Sequence, residues 1–166
     1  MTERTFAGWV EPVATLLAED RRQVLAFAQT APAGLWQQPS EVPGWTHQDI
    51  HAHLAGGNDL MLQHLMRSVT AREPLDPAVL QLDTDAENAR GVAERRGWSL
   101  DMLIAELQRG GDEVQDLLSH LTEDDRDLCP SGFSVSLGDF LRIVEEERHD
   151  LLHLEQLQAG LHAGNQ

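Results

Sequence analysis

The sequence has no tyrosine, a single cysteine, and only twelve basic residues against twenty-eight acidic ones. The lone Cys129 excludes an internal disulfide, and nothing nearby is basic enough to mark it as a reactive thiol. The formal net charge is -16 and the basic residues are scattered. That pattern excludes a nucleic-acid surface, which needs clustered cations, and it disfavours anionic membranes. No apolar run reaches the length of a signal segment or a membrane span, so a soluble, cytoplasmic protein is expected. Internal repeats and low-complexity tracts are missing as well. A chain of 166 residues can bury a core without staples, so one domain, 1–166, is expected, in which any metal would serve chemistry rather than folding.

What the chain does have is helical periodicity. Residues 6–29 place Trp9, Val10, Val13, Leu16, Leu17, Val24 and Leu25 at helical spacings, and a loop punctuated by Pro39, Pro43 and Gly44 follows. Thr46-His47-Gln48-Asp49 has the spacing of a capping box and predicts a second helix to about residue 70. A short polar helix over 84–96 follows an irregular stretch. Ser99 caps a third long helix over 100–121, where Gly110-Gly111 predicts a bend or a close contact. Ser136-Leu137-Gly138-Asp139 starts a fourth helix that should continue to about Gly160. Four long amphipathic helices and no convincing strand predict an all-α four-helix bundle with an extra short helix between helices 2 and 3.

The last helix carries His149-Asp150-Leu151-Leu152-His153. Two histidines four apart project from one face and can chelate one ion, although two solvated histidines on a polar face would look the same. On the helical wheel, Phe140, Val144, Leu151 and Leu154 form one stripe and the histidine pair falls nearly opposite it, beside Glu145 and Gln156. A third ligand would come from helix 2, which offers His47, His51, His53 and His64. Periodicity does not choose among them.

The run Pro43-Gly44-Trp45-Thr46-His47-Gln48-Asp49-Ile50-His51-Ala52-His53-Leu54 resembles the P-G-W-[ST]-x-x-[DH]-[VI]-x-x-H-L signature of the DinB-like superfamily, especially the branch containing the metal-binding domain of mycothiol-dependent maleylpyruvate isomerase. His149-Asp150-x-x-His153-x-x-Gln156-Leu157 is similar to that superfamily's last-helix motif, and Leu137-Gly138-Asp139-Phe140-Leu141 to the start of the same helix. The resemblance implies a bundle holding one divalent metal on His53, His149 and His153. A variant ligand set in the isomerase branch would use Glu145 with His53 and His149. In the preferred three-histidine set, Glu145 becomes the catalytic candidate, a general base.

Three neutral imidazoles would leave an ion its full charge and an open position, which suits zinc or nickel and also ferrous iron. The resemblance further implies a small thiol cofactor, mycothiol or bacillithiol, activated to attack a small electrophile. The isomerase has a further C-terminal domain that helps build its substrate site, and this chain ends at Gln166. The expectation is therefore a stand-alone thiol S-transferase or isomerase-type protein, or a domain with no known reaction. The alternative is a non-catalytic stress protein that binds a metal or a small molecule. Asp150 and Gln156 could orient imidazole N–H groups, and Trp45 should pack its loop against the bundle. A homodimer is expected too, because Trp9 and Leu25 with Leu118 and Leu121 extend the apolar stripes beyond one seam.

Overall fold

The computed structural model describes residues 4–57, 60–130 and 132–163. Its helices are α1 (Glu11–Thr30), α2 (His47–Gly57), α3 (Leu60–Ala71), α4 (Thr84–Arg95), α5 (Leu100–Ser119), α6 (Leu137–Glu147) and α7 (His149–Ala163), with 3-10 turns at Ala33–Leu35, Val79–Gln81 and Glu123–Asp125. Among the described residues the β-structure is one isolated bridge, Pro39 to Thr46. No helix there is long and apolar enough to cross a membrane. The chain is thus all-α, and α4 is the expected short helix between the second and third long stretches.

The helix starts follow the chemistry of their first residues. Ser99 Oγ accepts from Met102 N at 3.2 Å and Ser136 Oγ from Asp139 N at 3.2 Å, so both predicted caps form. The predicted helix over 46–70 appears as α2 and α3, with residues 58 and 59 outside the described set. The predicted helix from Ser136 to about Gly160 needs correction, because Arg148 adopts φ 43° and ψ 51°, left-handed backbone that ends α6. α7 therefore starts afresh at His149.

The chain divides into two compact units interleaved in sequence. The first comprises Met1–Glu19, Asp59–Leu82 and Gly111–Arg148. Its core joins Val10, Val13 and Ala14 to Leu65, Met66, Leu118, Leu121, Leu137 and Leu141. The second comprises Asp20–Asn58, Asp83–Gly110 and His149–Gln166, with a core of Val24, Ile50, Leu54, Leu103, Leu107, Leu154 and Leu157. α1 and α5 each contribute to both units, and the boundary in α5 falls between Gly110 and Gly111. α5 runs on as one helix there, and the Arg21 guanidinium stands 4.0 Å from where a Gly110 Cβ would be, an ordinary van der Waals distance and not the close contact expected.

This division explains why a single stripe on the last helix misleads. Phe140 and Val144 pack on the first core, Leu151 and Leu154 on the second, and the Arg148 break resets the helical phase between them. Leu118 and Leu121, at 0% and 4% exposure, are used inside the first unit. Trp9 packs there too, its Nε1 donating to Thr122 O at 3.1 Å, and Leu25 packs on the second core. Of the stripes that motivated the dimer, Leu118 and Leu121 are thus spent within the chain, while Trp9 and Leu25 stay partly exposed.

Candidate metal centre

The second unit is organised around α2, which packs against α4 and α7. Its entry is a turn in which Trp45 N donates to Val42 O at 3.0 Å, with Pro43 and Gly44 in the middle positions. Gly44 has φ +80°, so this is a type II turn that requires glycine at its third position. The turn delivers Trp45 onto the core and Thr46 to the helix start. There the predicted capping box forms: Thr46 N donates to Asp49 Oδ2 at 2.9 Å and Asp49 N to Thr46 Oγ1 at 3.2 Å. Arg96 adds a bond to Asp49 at 3.1 Å. Burial alone would raise the Asp49 carboxyl, but the Arg96 guanidinium and the Thr46 donors outweigh it and hold the group below its usual range.

α2 then presents three histidines that are all buried, His47 at 3%, His51 at 0% and His53 at 6% exposure. They have different surroundings. The His47 ring lies over Gly160 of α7, its Nε2 only 2.1 Å from where a Cβ would stand, and its Nδ1 is 3.1 Å from Gln38 O. His51 packs against Trp36 with ring centroids 5.6 Å apart, and among the described residues neither of its ring nitrogens has a hydrogen-bond partner. Burial, and then the nearby Arg21 charge, push its pKa down to about 4.

His53 alone of the three meets the pair on α7. Its ring centroid is 5.5 Å from that of His149 and 4.8 Å from that of His153, and Trp45 flanks it at 5.6 Å. One ring nitrogen from each of His53, His149 and His153 lies within 4.8 Å of the other two. The fresh start of α7 at His149 places the pair one turn apart, with Nε2 to Nε2 at 3.1 Å. Gln156 Oε1 lies 2.7 Å from His153 Nδ1; with the amide oxygen facing the ring, Nδ1 carries the proton and Nε2 keeps its lone pair for the shared space. Of the two orienting residues expected from sequence, Gln156 thus engages an imidazole, while Asp150 pairs with Arg21 at 2.6 Å.

The electrostatics suit a cation. Burial first, then His153 and His149, push the His53 pKa down to about 3, so this imidazole stays neutral with a lone pair to donate. Burial and His149 also lower His153, outweighing Gln156 and Asp150. Two imidazole nitrogens 3.1 Å apart are satisfied by a shared proton or by a cation near both, and a third buried nitrogen donor favours the cation. Three nitrogen donors that converge in this way fit a divalent ion of the zinc or nickel kind.

Glu145 stands four residues before His149 but beyond the Arg148 break, so the one-turn helical relationship assumed between them does not hold. In the first unit it lines a cavity of about 340 Å³ with Trp9, Val13, Arg126, Leu141 and Arg142. Sequence reasoning missed the Arg21 partnership of Asp150, since nothing in the residues around Arg21 distinguishes it from a surface arginine.

The sequence model of the mycothiol maleylpyruvate isomerase N-terminal domain matches residues 17–146, a stretch that contains His53 and stops short of His149 and His153. No curated protein matches the chain significantly. Among solved structures, the mycothiol-dependent maleylpyruvate isomerase shares the fold with a TM-score of 0.61 at 18% sequence identity, over 86% of this chain and 59% of that one. The chain therefore spans a little over half the length of that enzyme, and the shared architecture is the DinB-like all-α bundle. By the extent of the sequence match, the chain belongs to the family of mycothiol maleylpyruvate isomerase N-terminal domains.

Proposed function

We propose that this chain is a divalent-metal-dependent protein that uses a low-molecular-weight thiol, mycothiol or bacillithiol, in S-transfer or isomerisation chemistry on small electrophiles. The observation that carries the reading is the convergence of His53, His149 and His153, three imidazole nitrogens mutually within 4.8 Å. Family membership supports the thiol, because the solved relative is titled a mycothiol-dependent enzyme. A bound zinc, nickel or ferrous ion would supply charge that lowers the pKa of a thiol, giving a thiolate near neutral pH.

The chain's own residues would do the rest. His53, His149 and His153 hold the ion, Gln156 fixes the tautomer of His153, and Trp45 walls the His53 side against water. In the proposed addition, the thiol gives up its proton and its sulfur forms a bond to the electrophilic carbon, whose π bond opens so that its electron pair passes to the adjoining atom, which takes up a proton to complete the adduct. Glu145 is proposed as the general base that takes a proton in that sequence. The homodimer and the single folding domain belong to this proposal as well, the former resting on the resemblance and on the partly exposed Trp9 and Leu25.

The test is a turnover screen of metal-loaded protein with mycothiol or bacillithiol and a panel of electrophiles, alongside the metal content of variants. Thiol consumption that depends on metal supports the reading. An ion bound by the three histidines without turnover would make the protein a metal- or small-molecule-binding protein instead. Glu145→Gln should lower turnover at least tenfold with metal content intact; loss of the ion in that variant, with the ion retained in His153→Ala, would make Glu145 the third ligand.

A further inference from the structure

Asp150 follows the first proposed ligand of α7 and precedes the second by three residues. Its carboxylate is buried, at 5% exposure, and accepts a 2.6 Å bond from Nε of Arg21, itself 9% exposed. Nη1 of the same guanidinium donates to the Leu107 carbonyl at 3.0 Å. A single arginine of α1 is thereby fixed at once to α5 and to the first turn of α7.

That turn needs fixing. The left-handed residue Arg148 immediately precedes it, so α7 inherits no helical phase from α6. A ring nitrogen of His149 or His153 lies about 6 Å from the helix axis, so a 20° rotation of α7 would carry it about 2 Å. Metal–nitrogen bonds tolerate only about 0.2 Å. Apolar packing of Leu154 and Leu157 resists such a rotation softly, whereas a short charge-assisted bond to a guanidinium that is itself tied down resists it sharply. On the helix, Asp150 lies about 100° from His149 and about 60° from His153, so holding the carboxylate sets both imidazoles together.

We propose that the Arg21–Asp150 pair is a rotational lock that holds His149 and His153 in register with His53, making Arg21 and Asp150 positioning residues of the metal centre. The proposal rests on the metal reading of the histidine triad. It gives the buried pair a role beyond stability, where such pairs often contribute little over apolar replacements.

The experiment compares wild type with the double variant Arg21→Met/Asp150→Leu, which removes both charges and leaves neither buried alone, and with the near-isosteric Asp150→Asn. Zinc affinity is measured by chelator competition, the cobalt-substituted proteins are compared by visible absorption, and the metal-free proteins are melted. The lock predicts a loss of zinc affinity of about 10- to 100-fold in both variants and an altered cobalt spectrum. The metal-free melting temperature of the double variant should stay within a few degrees of wild type. Wild-type affinity and an unchanged cobalt spectrum in a folded variant would overturn the lock while leaving the metal reading intact. Failure of the wild type itself to bind zinc, nickel or ferrous ion would overturn the metal reading, and the lock with it. Should the double variant not fold, Asp150→Asn decides by the same two readouts.

Discussion

Three histidines of α2 share nearly the same burial, and only their neighbours separate a packing group, an unsatisfied core residue and a donor facing two other donors. That is why periodicity could not choose among them; the DinB-like signature names His53, the one that lies beside His149 and His153. Burial of His51 with no hydrogen-bond partner among the described residues is costly, since an unmet buried polar group forfeits about 1–3 kcal/mol. His51→Leu should therefore raise the melting temperature of the metal-free protein while leaving metal uptake intact; a lower melting temperature would show that the imidazole has a stabilising role. The same residue sets a pH dependence. Its folded pKa is about 4 against the 6.5 of an ordinary histidine, so the unfolded chain takes the proton first. Its contribution is fully present above pH 6.5 and is lost as pH falls from there towards 4. Urea titrations of metal-free protein should show stability dropping through that window, less steeply in His51→Leu. A second residue-scale expectation concerns Gly160: a methyl there would collide with the His47 ring, so Gly160→Ala should destabilise by about 1–3 kcal/mol, and His47→Ala in the same chain should recover part of it.

Helix starts were legible because Thr46, Ser99 and Ser136 announce themselves through side-chain oxygens three residues ahead of the N–H groups they cap. The end of α6 was not. A left-handed stop is signalled by glycine or asparagine, and here an arginine adopts it, so residues on either side read as one continuous period. The error had a definite consequence, since it joined Glu145 to His149 as neighbours one turn apart. The turn ahead of α2 shows the opposite case, where Pro43-Gly44 is readable because the geometry demands those residue types. Gly44→Ala forces a Cβ into a positive-φ position and should cost about 1–2 kcal/mol in urea denaturation. Gly34 has open space around its Cα and no positive φ, so Gly34→Ala should be neutral or slightly stabilising and serves as the control. Equal effects at the two sites would contradict the turn assignment.

Across the whole molecule, helix content and element order were legible, but the two interleaved cores were not, because an apolar stripe records burial without recording against what. Leu118 and Leu121 look surplus only until the first core is assembled. Since α1 and α5 each pass through both units as unbroken helices, the chain should unfold in one calorimetric transition with equal calorimetric and van't Hoff enthalpies; two resolved transitions would show independent domains. Both cores are built from apolar side chains, so the metal-free chain should keep its helical circular dichroism at room temperature. Metal at a hundredfold excess over its dissociation constant should add about 2.7 kcal/mol, a rise of roughly 5–11 °C in melting temperature.

The account stands most directly on where a divalent ion sits. Anomalous diffraction from zinc-loaded crystals, with elemental analysis of the same protein and of His53→Ala, reads this in one experiment. The account predicts one ion per chain within about 2.0–2.1 Å of a ring nitrogen from each of His53, His149 and His153, and near-complete loss of the ion in His53→Ala. An ion placed elsewhere, or full occupancy retained in His53→Ala, would contradict it.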